Sequence, residues 1–591
     1  MHRPFAKTPL LRLLSITLAA GAIGGVAVVR AGPAAVDPRG VVGLFEVPGF
    51  DFRPDGVWRP RSERIRALRQ RALARHDLAY LNGTAAPVLA GTLLIPVVPI
   101  AFGNVPAPYP AAEYQDALFA SPAVAGPFSL RTYYAEASRG HLHLDGVVLP
   151  WVTADSADTY YEDGCNGIGV LNSCPHGGVR LGELLLEGLR RSDDGSVDWG
   201  QFDNDGPDGI PNSGDDDGVV DVVAFLQPEV DGACGTTNLW AHRFDVSVWN
   251  GGSPYVTSSP RRGAGGVPIP GSHILVRDYT LQSGVGGTGA CSGAAIMPIG
   301  TLAHEVGHAF GLPDLYDTDL RSASVTQGVG EWSLMGSGNY SQPYSPSAMD
   351  PWSLGELGWV AIDTLGQSGP ITLAPVATSD TVLLRLVAGT DEYFLFENRQ
   401  PIGTDSAQFN PLCQFGTRSC AKSPGLLIWH IDQGQISAHG FRQDNAVNSG
   451  PVHGVAVIQA DGRNDLRTPG TKNRGDLGDA WPGISGATLF SEVTNPPALD
   501  NEGRSAGITL DSIRQLVPGG PVAFRLTLAP PGAVIVSFPT ATDAILGRTL
   551  LGSAQIAYLD SLGNTNGQYD VGDFLAFYRR QVPATARSGR P

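Results

Sequence analysis

His304, Glu305 and His308 lie in the run Thr301-Leu-Ala-His-Glu-Val-Gly-His-Ala-Phe-Gly-Leu-Pro-Asp314. Residues four apart share one face of a helix, so both imidazoles can reach a single metal ion, and Glu305 is close enough to act as general base on a metal-bound water. A catalytic zinc needs a third protein ligand and one open position. Gly311 tolerates the left-handed backbone that turns a chain out of a helix, and Pro313 stops the helix from resuming. Asp314 is thereby swung back toward the metal as the expected third ligand, with a later carboxylate such as Glu356 as the alternative.

A second element follows in Glu331-Trp-Ser-Leu-Met335-Gly-Ser-Gly338. An extended zinc helix paired with a later Met-turn is the pattern of metzincin proteases. Met335 sits in a Gly/Ser turn, where a thioether would give the metal a soft apolar floor. The departure is Asp314, where the usual third metzincin ligand is His; an oxygen ligand still suits zinc. Tyr340, five residues beyond Met335, is placed to lean over the metal and polarise a carbonyl under attack. His242 and His430 each follow Trp in apolar surroundings and are expected to be structural.

These residues need a scaffold, and the flanking pattern reads as an α/β catalytic domain over residues 89–362. Buried strands are expected at Thr92–Phe102, Leu142–Pro150 and Val219–Leu226, with the zinc helix from about Ile299 to Phe310. Within this region runs Phe202-Asp-Asn-Asp-Gly-Pro-Asp-Gly-Ile-Pro-Asn-Ser-Gly-Asp-Asp-Asp-Gly-Val-Val-Asp221. Carboxylates on a tight turn are what a many-oxygen calcium shell requires, which makes Asp203, Asp205, Asp208, Asp215, Asp217 and Asp221 candidate calcium ligands. From 363 to 530 the pattern changes to short apolar runs at Ile371–Pro375, Val382–Val387, Tyr393–Glu397, Leu426–Ile431, Val455–Ala460 and Val522–Leu528. Separated by Gly/Asp/Asn loops, they suggest an antiparallel β-sandwich.

The tail, residues 531–591, holds Tyr558-Leu-Asp-Ser-Leu-Gly-Asn-Thr-Asn-Gly-Gln-Tyr-Asp-Val-Gly-Asp-Phe-Leu575. With Gly567 at position six of an EF-hand-like loop, Asn564, Asn566 and Asp573 fall at ligand positions three, five and twelve, and Asp560 stands in for the missing first ligand. A helix should follow from Val571 to Arg580. The segment resembles half of a dockerin module, so the tail is either a docking element for a surface or scaffold partner or a small calcium-clipped cap.

Arg3, Lys7 and Arg12 precede an apolar run from Leu13 to Val29, which reads as a secretory signal peptide ending at about Ala31. No other stretch is long and apolar enough for a membrane span. Residues 32–88 read as a propeptide, with an Arg-rich helical stretch over Ser62–Leu81. No cysteine precedes Cys165, which excludes latency by a propeptide thiol; Asp51 or Asp55 could fill the open metal position instead. Six cysteines in an exported chain suggest disulfides. Fifteen pairings are possible; spacing favours Cys165–Cys174 and Cys413–Cys420, leaving Cys234–Cys291. The 42% hydrophobic and 16% charged content describes a globular chain. The net charge of −17, with no basic run in the mature body, excludes nucleic-acid binding. Nothing indicates oligomerisation, so a monomer is expected.

Several runs together resemble the secreted bacterial metalloproteases of the immune inhibitor A type. They are Tyr133-Tyr-Ala-Glu-Ala-Ser-Arg-Gly140, Asn238-Leu-Trp-Ala-His242, and His304 to Asp317 with its Leu-Pro-Asp-Leu-Tyr-Asp ending. Trp332-Ser-Leu-Met335, Leu357-Gly-Trp359, Glu392-Tyr-Phe-Leu-Phe-Glu-Asn-Arg399 and Gly425-Leu-Leu-Ile-Trp-His-Ile-Asp432 complete the set. In one order they span about residues 90 to 530. The resemblance implies a zinc endopeptidase made as a zymogen, with bound calcium and protein or peptide substrates. The expected function is therefore secreted, zinc-dependent hydrolysis of peptide bonds with Glu305 as base. Two readings compete with it: a zinc-containing, non-proteolytic attachment protein of the cell surface, and a zinc hydrolase of non-peptide substrates.

Overall fold

The computed structural model describes Ala67 and residues 88–581, apart from 125, 170–173, 207, 287–290, 292–294, 320–323, 341–343, 388–389, 410–413, 416–417, 420, 441–443 and 530–533. The expected signal peptide, the propeptide with Asp51 and Asp55, and the Cys413–Cys420 pair lie outside the described residues.

The first sheet grows from the long apolar run β1 (Gly91–Ala101), buried on both faces from Ile95 onward. A strand covered on both sides reads as continuous hydrophobic sequence because no face needs polar side chains. β1 is flanked in parallel by β2 (Leu142–Val148) and β3 (Val223–Gln227). β4 (His242–Asp245) and β5 (Asp278–Ser283) complete the order β2-β1-β3-β5-β4; β5 runs parallel to β3, and β4 is the antiparallel edge. The amphipathic α2 (Val179–Ser192) covers one face through Leu181, Leu184, Leu185 and Leu189.

The other face carries α1 (Leu130–Ala137) and α3 (Gly300–Ala309). Ser129 caps α1, its hydroxyl accepting from the Thr132 amide while Thr132 accepts from the Ser129 amide. Every residue of α3 is buried, in keeping with a helix that has no consistently polar stripe. Tyr133 and Tyr134 of α1 brace the site: Tyr134 donates to the Ala303 carbonyl at 2.6 Å, and Tyr133 to the Ser347 carbonyl at 2.8 Å. The helix α4 (Pro351–Leu357) starts at Asp350, whose carboxylate accepts from the Ser353 amide and from the Ser333 hydroxyl beside the Met-turn.

Two more sheets follow. The five-stranded one contains β6 (Ala361–Thr364), β8 (Thr381–Leu386), β9 (Glu392–Arg399), β10 (Gly425–Asp432) and β11 (Val455–Ile458), in the order β11-β10-β9-β8-β6. The four-stranded one contains β7 (Gly369–Leu373), β12 (Phe490–Ser491), β13 (Ile508–Gln515) and β14 (Val522–Leu528), in the order β7-β14-β13-β12. The expected antiparallel pattern holds except where β6 joins β8 in parallel. Phe394, Phe396, Leu426 and Ile428 from one sheet share a core with Leu510, Phe524 and Leu526 from the other. Side chains alternate along a strand. Accordingly Leu395, Leu427, Trp429 and Ile431 point the opposite way, into the same core as Leu302, Val306 and Met335 of the site. The hydrophobic core therefore crosses residue 362 without interruption.

The helices α5 (Phe538–Ile545), α6 (Ser553–Leu562) and α7 (Val571–Gln581) close on a small core of Val536, Ala541, Leu559 and Phe577. Disulfides join Cys165 to Cys174 and Cys234 to Cys291, as the spacing suggested. No helix among the described residues is long and apolar enough to cross a membrane.

Candidate metal centre and active site

The site is built on the last turns of α3. Helical spacing sets His304 and His308 edge to face, with ring centroids 4.7 Å apart. Each imidazole is oriented by a backbone carbonyl: Nδ1 of His304 lies 2.8 Å from the Leu334 oxygen, and Nδ1 of His308 lies 2.7 Å from the Leu312 oxygen. With Nδ1 so engaged, both Nε2 atoms face inward, the orientation that prepares histidines for a metal. Gly311 takes φ +84°, closing the helix as its residue type suggested. The chain then returns Asp314, whose Oδ1 lies 2.9 Å from His304 Nε2 and 3.3 Å from His308 Nε2. Burial raises the Asp314 carboxyl, but the two histidines outweigh it and hold the group well below the usual range. Two nitrogens and one oxygen on a rigid, buried frame form a donor set that could hold a divalent metal.

Glu305 points into a cavity of about 210 Å³ that His304, Tyr316, Tyr340, Trp240 and Arg474 also line. Burial raises its carboxyl to about 7; the His304 and His308 charges pull it down, and Asp314 and Asp231 push it up. Tyr340 lines the same cavity as Glu305. Glu356, the alternative ligand, lies elsewhere, on α4 in the electrostatic environment of Tyr393.

Met335 is fully buried and packs against α3 at Gly307, where an added Cβ would lie 2.5 Å from the Met335 sulfur. The glycine between Glu305 and His308 is therefore what lets the turn that carries Met335 close beneath the helix. The segment leading to Met335 is clamped from far downstream. The Trp332 indole donates to Asp479 at 2.7 Å, Lys422 pairs with Glu331 at 3.0 Å, and Arg399 donates to the Trp332 carbonyl at 3.3 Å. Arg399 is itself held by Glu397 and Asp405.

Two site residues carried no signal of their own. Tyr316 stacks on the His304 ring with centroids 6.2 Å apart and lies in the electrostatic field of Asp314 and Glu305. Asp231, raised to about 6 by burial, acts electrostatically on Glu305 and Tyr340. Tyr316 falls in the Leu-Pro-Asp-Leu-Tyr-Asp run, which was the only available pointer. His242 is structural as expected, its ring nitrogens 2.7 Å from the Trp240 carbonyl and 2.9 Å from the Tyr279 hydroxyl. His430 lies 2.8 Å from Glu392 in the five-stranded sheet, away from the cavity.

Of the six loop aspartates, Asp203, Asp205 and Asp221 converge as a buried group. Burial, then the charges of Asp217, Asp216 and Asp205, raises Asp203 to about 8; burial, then Asp205, raises Asp217 to about 7. Asp203 Oδ1 has no hydrogen-bond partner. Asp208 and Asp215 are not brought to this group: both remain exposed and engage the Ser213 hydroxyl, because the intervening turn carries them outward. Asp216 instead holds the turn, accepting from the Gly206 and Ser213 amides. In the tail loop, Asp560 accepts from the Asn566 and Gly567 amides, and the buried Asp573 from the Asn564 and Asp570 amides. The Asn564 and Asn566 side chains donate to Asp570.

The catalytic-domain model of immune inhibitor A, peptidase M6, matches residues 105–354. This part of the chain has the likeness of a metalloendopeptidase domain. The Pre-pro-metalloprotease PrtV of Vibrio cholerae serotype O1 is 27% identical over 262 residues, 42% of this chain and 26% of the relative. Immune inhibitor A of Bacillus thuringiensis subsp. alesti is 28% identical over 222 residues, 36% of this chain and 29% of the relative. The matched stretches thus span little more than a quarter of those relatives' length. The matched stretch contains His304, Glu305, His308, Asp314, Met335 and Tyr340.

Proposed function

We propose that the chain is an extracellular zinc-dependent endopeptidase in which His304, His308 and Asp314 hold the metal and Glu305 is the general base. The observation that carries this is the convergence of two inward-facing Nε2 atoms and one carboxylate oxygen beside a cavity into which Glu305 points. Zinc, when bound, would supply a Lewis acid that lowers the pKa of the attacking water. Glu305 takes that water's proton on its carboxylate and later delivers it to the leaving amine. Tyr340 is positioned to donate to the oxygen on which negative charge develops. Peptide substrates are favoured because Trp240 and Ala241, at the entry to edge strand β4, line the cavity. An edge strand offers backbone groups to an extended chain.

Asp203, Asp205, Asp217 and Asp221 would hold calcium. An all-oxygen, mutually repelling set in which Asp203, Asp205 and Asp221 are buried is stabilised by a divalent cation, and the unpartnered Asp203 oxygen fits that role. The tail loop, with Asp560, Asn564, Asn566 and Asp573, is proposed as a calcium-clipped cap.

The test is hydrolysis of an unfolded protein by the matured chain and by Glu305→Ala, with zinc content measured for both. Glu305→Ala should retain zinc and lose activity by at least about 10²–10⁴-fold, and His304→Ala should lose the metal. A zinc-loaded, mature parent that cleaves nothing would leave the non-proteolytic binding reading in its place.

A further inference from the structure

Asp314 divides its two carboxylate oxygens. Oδ1 faces the imidazoles of His304 and His308, while Oδ2 accepts a 2.7 Å hydrogen bond from the side-chain amide of Asn445. The carbonyl end of the same amide accepts the backbone N–H of Asp314 at 2.9 Å. The orientation of the amide is unambiguous, because a carboxylate can only accept and a backbone N–H can only donate. Asn445 is 1% exposed and 131 residues beyond Asp314. Its main chain is held in turn by the Thr318 hydroxyl, which donates to the Asn445 backbone carbonyl at 3.2 Å. Its backbone is left-handed, at φ +54°, a conformation asparagine tolerates better than most residues.

We infer that Asn445 is a positioning residue for the third metal ligand, so that the metal centre is completed by the β-rich region and not by the zinc-motif segment alone. This rests on the reading that His304, His308 and Asp314 bind metal. The two-point grip on side chain and main chain stops the carboxylate from rotating and leaves Oδ1 as the presented donor. Outer-shell partners of this type contribute substantially to metal affinity by fixing their ligand's orientation.

The experiment uses the full chain and compares Asn445→Gly, Asn445→Asp and Asn448→Ala. Glycine accepts the left-handed backbone and removes only the grip. Aspartate keeps an acceptor for the Asp314 amide but sets a second carboxylate against Oδ2. Asn448 is the control: it is equally buried and donates to the Leu315 carbonyl at 2.8 Å, one residue beyond Asp314, without a contact to the Asp314 carboxylate. Zinc affinity is measured by competition with a chromophoric chelator, ligand geometry by the visible spectrum of the cobalt-substituted protein, and folding by denaturation of the metal-free form. Asn445→Gly and Asn445→Asp should each weaken zinc binding by about 10–100-fold and alter the cobalt spectrum. Asn448→Ala should lower stability and leave the spectrum as in the parent. If either folded Asn445 variant keeps parental affinity and spectrum while His304→Ala loses zinc, the positioning role is overturned and the metal reading survives. If the parent itself binds no zinc, both fall together.

Discussion

Replacing Gly307 by alanine sets two effects of opposite sign against each other. In a helix interior the exchange ordinarily stabilises by about 0.5–1 kcal/mol, because glycine loses more backbone entropy on folding. Here the new methyl would lie 2.5 Å from the Met335 sulfur and 3.2 Å from its terminal carbon. Met335 is fully buried, so it can yield only by displacing neighbours. Overpacking of this kind costs about 1–3 kcal/mol. The net expectation is destabilisation by about 1 kcal/mol, with loss of activity if α3 shifts and carries the histidines with it. In a Met335→Ala background the clash is gone, and the same Gly307→Ala change should stabilise by about 0.5–1 kcal/mol. The coupling energy of the double-mutant cycle is then about 1–3 kcal/mol. Urea denaturation of the four metal-free proteins measures it. A Gly307→Ala protein more stable than its parent, with no sign change across the cycle, would refute the placement of Met335 beneath the helix.

His242 is buried and its pKa is lowered from 6.5 to about 4 by burial, so its stabilising contribution is complete above pH 6.5 and lost as pH falls toward 4. Denaturation of His242→Gln across that window should show a flatter pH dependence than the parent, by up to about 3 kcal/mol. The Cys234–Cys291 bond closes a separation of 57 residues and Cys165–Cys174 one of 9. Removing the first pair should therefore cost more, about 4 against about 2.5 kcal/mol by loop entropy; equal losses in thermal or urea unfolding would count against that account. A chain ended after residue 362 would lose Leu395, Leu427, Trp429 and Ile431 and leave the core face around Leu302, Val306 and Met335 uncovered. It should fail to give a protease-resistant folded species, and recovery of a stable, metal-binding fragment would disprove the need for the shared core. Calcium should raise the thermal midpoint of the full chain, and Asp203→Asn with Asp221→Asn should abolish the rise, read by thermal denaturation with and without a chelator.

The local sequence determined everything that depends on short spacing. Two histidines four apart must share a helical face, and Gly311 and Pro313 must end that helix in time to return Asp314. Each of the nine apolar runs named between Thr92 and Leu528 held a strand, because periodicity and turn residues act over a few positions, whereas β4, β5, β6 and β12 were not among them. β13 escaped notice because Ile508–Gln515 mixes buried and exposed positions with charged side chains and a bulge. Tertiary structure decided which carboxylates meet. Asp203, Asp205 and Asp221 converge while Asp208 and Asp215 do not, although composition alone treats all six alike. It also brought Arg399, Lys422, Asp479 and Asn445 onto the Met-turn and the third ligand from as far as 147 residues along the chain. Such partners leave no local pattern. Their hydrogen bonds exist only after the five-stranded sheet has buried its second face against α3, and that packing is a property of the whole core.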